Sequence, residues 1–143
     1  MKRLSHLIFA IGLYLMLIPA FNSSAQTLPQ LNESWPNATP NSGGFIPSGI
    51  HPGSFLKVDG IDFHIVTEKG KVKYIDTNDK KFKIDGVSYI GLKLSDFKNK
   101  AEVKKYLGWG HYLPIKDGWY ALFHYESIND SSKAVAVFKY QFH

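Results

Sequence analysis

Beyond residue 55 the chain is dominated by short apolar and polar alternations broken by glycine turns. Phe55-Leu-Lys-Val58 and Ile61-Asp-Phe-His-Ile-Val66 flank Asp59-Gly60, and Phe82-Lys-Ile84 and Val87-Ser-Tyr-Ile90 flank Asp85-Gly86. Asp-Gly between β-forming residues predicts a tight hairpin, because both turn positions adopt positive φ. Glu68-Lys-Gly-Lys71 is a further turn leading into Val72-Lys-Tyr-Ile75, whose alternation fits a strand with one wet face. Near the C-terminus, residues 118–125 and 134–142 read as two more strands. Ala134, Ala136, Phe138, Tyr140 and Phe142 fall on one face of the last.

One interruption has a different period. Asn99-Lys-Ala-Glu102 has the form of a capping box, and Val103, Tyr106 and Leu107 follow at the i, i+3, i+4 spacing of a helix face. Gly108 stands where a left-handed C-terminal cap belongs. Strands with a lone helix predict an α+β fold: an antiparallel β-sheet of hairpins and meander with one short helix packed on one face.

The N-terminal part has neither period. Lys2 and Arg3 precede an apolar run over residues 7–20, and Asn22-Ser-Ser-Ala25 supplies the small residues of a signal-peptidase site. Residues 1–25 therefore read as a signal peptide cleaved before Gln26, which predicts a secreted or periplasmic protein with no stable membrane span. Residues 26–54 carry Pro29, Pro36, Pro40, Pro47 and Pro52 with little periodic apolar content, and read as an extended leader. Residues 55–143 form the expected single domain.

Composition narrows the function classes. The 143 residues contain no cysteine, which removes thiol catalysis, thiolate metal sites and a lipidated N-terminal cysteine. The formal charge is +5, of which Lys2 and Arg3 carry two. Every basic residue after Arg3 is lysine, so the mature chain lacks the guanidinium fork suited to phosphates and base edges. Nucleic acid is not an expected partner.

The stretch Asn99-Lys-Ala-Glu-Val-Lys-Lys-Tyr-Leu-Gly108, followed after a short gap by Gly118-Trp-Tyr-Ala-Leu-Phe123, resembles a motif of small exported domains. These are the BamE/SmpA-type envelope lipoproteins and the β-lactamase-inhibitor-protein-like domains of similar architecture. The resemblance covers residues 99–142 and implies a small exported binding module. The lipidated cysteine of the lipoproteins is absent, and β-hairpins stand where those domains place an early helical pair.

Catalytic signatures are sparse. The histidines form no His-x-x-x-His pair, the chain has no Gly-x-Ser-x-Gly elbow, and its glycines are turn glycines. His64 lies two residues from Asp62, and His124 two from Glu126; such pairs suit a metal or a general base, and equally a polar surface pair. No catalytic residue, metal or cofactor is expected. The richest stretch runs from Trp109 to Tyr120, where Trp109, His111, Tyr112, Lys116, Asp117 and Tyr120 crowd a loop held open by Gly110, Pro114 and Gly118. Exposed aromatic residues dominate binding hot spots, so these six are the candidate binding residues, with Trp109 and Tyr112 as anchors and Trp119 in the core. The expected function is non-catalytic binding of another protein in the envelope or outside the cell, as inhibitor-like or immunity-type proteins do. A carbohydrate-binding module using the same loop is the alternative, and a small hydrolase the third reading.

Overall fold

The computed structural model describes residues 27–35 and 40–143. The signal-peptide expectation over residues 1–25 lies outside the described residues. Eight strands follow one another: β1 (Ser42–Ile46), β2 (Gly49–Val58), β3 (Ile61–Glu68), β4 (Lys71–Thr77), β5 (Lys104–Tyr106), β6 (Gly110–Lys116), β7 (Trp119–Phe123) and β8 (Ala136–Tyr140). They form one antiparallel sheet in the order β1-β2-β3-β4-β8-β7-β6-β5. The hairpins β2–β3, β3–β4 and β6–β7 turn on Asp59-Gly60, Lys69-Gly70 and Asp117-Gly118, and every one of these six residues has φ between 50° and 79°. This is the backbone that a two-residue hairpin demands.

The α+β expectation is corrected: the fold is nearly all antiparallel β-sheet. Among the described residues the helical content is two single 3₁₀ turns, Leu94–Asp96 and Lys100–Glu102. The segment expected to be a helix over residues 99–108 instead makes the second of these turns and then β5. Its capping box does not form around a helix; the Asn99 side-chain amide donates to the Pro114 carbonyl at 3.0 Å. Val103 and Tyr106 pack on opposite faces of the sheet, and Leu107 stays 78% exposed. A stripe of three residues offers too little buried area to offset the cost of nucleating so short a helix.

The second Asp-Gly site also differs. Asp85 and Gly86 adopt the expected turn, but only one bridge, Ile84 with Val87, closes it. Phe82, Ile84, Tyr89 and Ile90 pack down onto the sheet instead of extending into strands. The connection over residues 78–103 thereby covers the outer face. Beneath it lie Phe63, Ile65, Ile75, Trp119 and Val137, and a neighbouring cluster around Leu113 and Phe123.

The other face carries Ile46, Val66, Tyr74, Tyr112 and Phe138. Ile46 comes from one edge of the strand order, and Trp109, packed on the same cluster, precedes β6 near the other. The Trp109 indole N–H donates to the Phe45 carbonyl in β1 at 2.9 Å. Seven inter-strand spacings of about 4.8 Å would hold these edges about 34 Å apart in a flat sheet. The sheet must therefore curl, and it forms a half-barrel with the aromatic cluster inside.

Residues 42–54, expected to belong to the extended leader, form β1 and the first half of β2. Upstream of them, Leu28, Leu31 and Trp35 pack on the outer core. The Asn32 and Trp35 amides donate to the carbonyls of Val72 and Gly70 at 2.7 and 2.9 Å. The leader composition hides the upstream roles because Asn32 and Trp35 are held by Val72 and Gly70, far along the chain.

Candidate functional site

Strand register assembles a cleft on the inner face. Tyr112 in β6 stands opposite Lys104 in β5, and Pro114, two residues on, stands opposite Tyr120 in β7. These four side chains share one face, and Phe142 folds back over them after β8. The resulting cleft of about 310 Å³ is lined by Tyr112, Pro114, Tyr120 and Phe142, with Glu102 and Lys104 bringing opposite charges to it. Tyr112 and Phe142 stack with centroids 4.8 Å apart and planes 10° apart; Tyr120 meets Phe142 edge-on at 5.2 Å. Burial, more than the neighbouring Tyr120 and Tyr106, pushes the Tyr112 phenol above its ordinary range. The cleft thus presents neutral rings with ionic groups beside them, a surface suited to an apolar or amphipathic group.

The six residues expected to form a binding loop do not lie in a loop. Residues 110–116 and 119–123 are strands β6 and β7, joined by the tight Asp117-Gly118 turn. Tyr112 and Tyr120 come together in the cleft. Trp109 joins the same aromatic cluster but serves as packing: its ring lies 5.0 to 5.3 Å from those of Tyr74, Tyr106, Phe138 and Tyr140. Tyr112, expected to be exposed, is buried, because even-numbered positions of β6 turn inward. His111 points to the outer face, where its Nδ1 lies 3.0 Å from the His124 carbonyl oxygen. Lys116 pairs with Asp85 across the surface, and this hydrogen bond holds the ammonium above its ordinary range. Asp117 occupies the turn itself. Trp119 is buried in the outer core, as expected.

Sequence reasoning missed Glu102, Lys104 and Pro114 as lining residues, because it placed the first two on a helix. Phe142 carried a legible signal in its alternation with Phe138 and Tyr140.

A larger cleft of about 360 Å³ lies between the N-terminal segment and the end of β8. Three of its polar side chains are engaged with one another: Lys73 donates to the Asn32 side-chain carbonyl at 2.7 Å, and Asn32 donates to Gln141 at 3.1 Å. The aromatic cleft is the better candidate. Among the described residues no group of three or more His, Asp or Glu side chains is placed to hold a metal ion, and no helix is long and apolar enough to cross a membrane. The chain matches no protein-family model, no curated protein and no solved structure.

Proposed function

We propose that this is a secreted or periplasmic protein that acts by binding another protein, in the manner of small inhibitor-like or immunity-type proteins. The observation that carries the reading is the aromatic cleft formed by Tyr112, Pro114, Tyr120 and Phe142. Preformed pockets of rigid rings accept the anchor side chain of a partner at low entropic cost, and charges beside them set its orientation. Ile50 of β2 and Leu107 of the β5–β6 turn, 81% and 78% exposed, add apolar surface outside the cleft. A glycan is the second reading, favoured by the same observation, since sugars stack on rings and hydrogen-bond to flanking carboxylates and ammonium groups.

The test is capture of a partner from the protein's own cell envelope by the immobilised mature protein, beside Lys104→Glu and Tyr120→Ala variants. Loss of a hot-spot contact of about 2 kcal/mol weakens binding roughly 30-fold. The expected result is a partner retained by the parent protein and lost by both variants, with Tyr120→Ala, which also gives up packing on Phe138, assayed well below its melting temperature. Equal capture by all three overturns the cleft as the site. Binding on a glycan array that Tyr120→Ala abolishes moves the assignment to the sugar reading.

A further inference from the structure

His64 is paired differently from its sequence neighbourhood. Asp62, two residues away, bonds to Lys57 at 2.8 Å, whereas His64 stands directly opposite Asp76 of β4. His64 Nδ1 lies 3.1 Å from Asp76 Oδ1, and His64 Nε2 lies 3.1 Å from Ser42 Oγ. A carboxylate only accepts hydrogen bonds, so this pairing places the ring proton on Nδ1. Nε2 is then the acceptor, and the Ser42 hydroxyl is its donor. We infer that Ser42, His64 and Asp76 form a nucleophile–base–orienter relay that hydrolyses a carboxylic ester.

The fold is shaped to make this contact. Ser42 is on β1 and His64 on β3, with β2 between them. Gly53 of β2 stands opposite Ser42, and a Cβ there would lie 2.7 Å from both His64 Nε2 and Ser42 Oγ. The missing side chain is what lets the imidazole reach across a strand. Gly44 gives similar room, since its Cβ would fall 3.2 Å from His64 Cε1. The His64 and Asp76 side chains retain 18% and 26% exposure, shielded but within reach of a substrate. Phe55 lies against the imidazole, centroids 5.1 Å apart, with 62% of its surface exposed. An apolar acyl chain would find its contact there.

In the acylation step Ser42 Oγ adds to the ester carbonyl carbon as its proton passes to His64 Nε2. The tetrahedral adduct collapses, the C–O bond to the alcohol breaks, and the leaving alkoxide takes the proton back from Nε2. Water then attacks the acyl-serine, with Nε2 again accepting a proton. The second tetrahedral adduct collapses with rupture of the acyl C–Oγ bond, Nε2 returns its proton to Ser42 Oγ, and the carboxylic acid leaves. Asp76 accepts the Nδ1–H throughout and stabilises the imidazolium. The inference goes beyond the binding reading and rests on different residues.

The experiment treats the full mature protein with a fluorophosphonate probe and, separately, with p-nitrophenyl butyrate. The expected result is a single phosphonyl adduct on the Ser42 peptide, with turnover of the ester. Ser42→Ala should abolish both at unchanged melting temperature. Asp76→Asn should lower turnover by roughly 10⁴-fold through the wrong imidazole tautomer. Absence of the adduct from the parent protein, or turnover that survives Ser42→Ala, overturns the inference. Tyr120→Ala should leave labelling intact and Ser42→Ala should leave partner capture intact, so failure of one proposal is distinguishable from failure of the other.

Discussion

At Trp109 two demands meet in one side chain. Its ring fills the inner cluster, and its indole N–H ties the β5–β6 turn to the far edge of the sheet at Phe45. Trp109→Ala removes both, and truncation of a packed aromatic costs about 3 kcal/mol or more. Trp109→Phe keeps most of the packing and loses only the hydrogen bond, a difference of about 1 kcal/mol. Urea unfolding of the two variants should show this ordering; equal stability of Trp109→Ala and the parent would return the residue to the surface. Gly53 obeys a steric rule of comparable strictness. A methyl group there meets the His64 ring, so Gly53→Ala should destabilise the fold by about 1–3 kcal/mol, as overpacking does, and displace the imidazole from Ser42. The His64 proton resonances in Gly53→Ala, set beside those of the parent, check the displacement.

At the scale of elements, the β1–β2 hairpin is part of the sheet and not a leader to it. A chain beginning at Ser54 lacks β1 and the first half of β2, leaves the inner cluster without Ile46, and turns the remaining stub of β2 into an unprotected edge with Val66 of β3 unpaired. It should fail to melt cooperatively in calorimetry, whereas a chain beginning at Gln26 should give one transition. Likewise, the far-ultraviolet dichroism of the chain from Gln26 should lack the double minimum of a helix. The turns were legible because their chemistry is local: Asp59-Gly60 and Asp117-Gly118 each carry in two residues the backbone that the hairpin needs. The helix over residues 99–108 was misread because three apolar positions fit a helical stripe, whereas in the fold Val103 and Tyr106 feed different cores and Leu107 neither. β1 was illegible because Ser-Gly-Gly-Phe-Ile has little strand propensity, and its need for glycine arises from Val66 and His64 far along the chain, which a side chain at Gly44 would meet. The candidate cleft was half visible. Tyr112 and Tyr120 stand out as residues, but the register that joins them to Lys104 and Phe142 is a long-range property. The pairing of His64 with Asp76 across a hairpin, in place of neighbouring Asp62, is hidden for the same reason.

Across the whole molecule, the curled sheet shields a set of phenols whose ionisation opposes folding. Tyr74 is held well above the ordinary tyrosine range, first by burial and then by the Asp76 carboxylate. Tyr112 and Tyr140 are raised chiefly by burial as well. A group that binds its proton more tightly when folded stabilises the native state fully below its unfolded pKa, about 10 for tyrosine. That contribution is lost as pH rises from there through the folded values. Thermal stability should therefore be insensitive to these phenols at neutral pH and fall above about pH 10, when the unfolded chain can ionise tyrosines that the folded one keeps neutral. Tyr74 sits at the centre of the inner cluster, stacked on Phe138 at 5.6 Å and against Trp109. Tyr74→Phe keeps the ring and removes the ionisable hydroxyl, so its alkaline loss of melting temperature should begin at higher pH and be shallower. Tyr125→Phe, at an exposed position, should leave the parent profile unchanged. Melting curves recorded across the alkaline range, with phenolate absorbance followed in parallel, decide the matter. If Tyr74→Phe and the parent protein lose stability along the same alkaline curve, the inner cluster is not the seat of the transition.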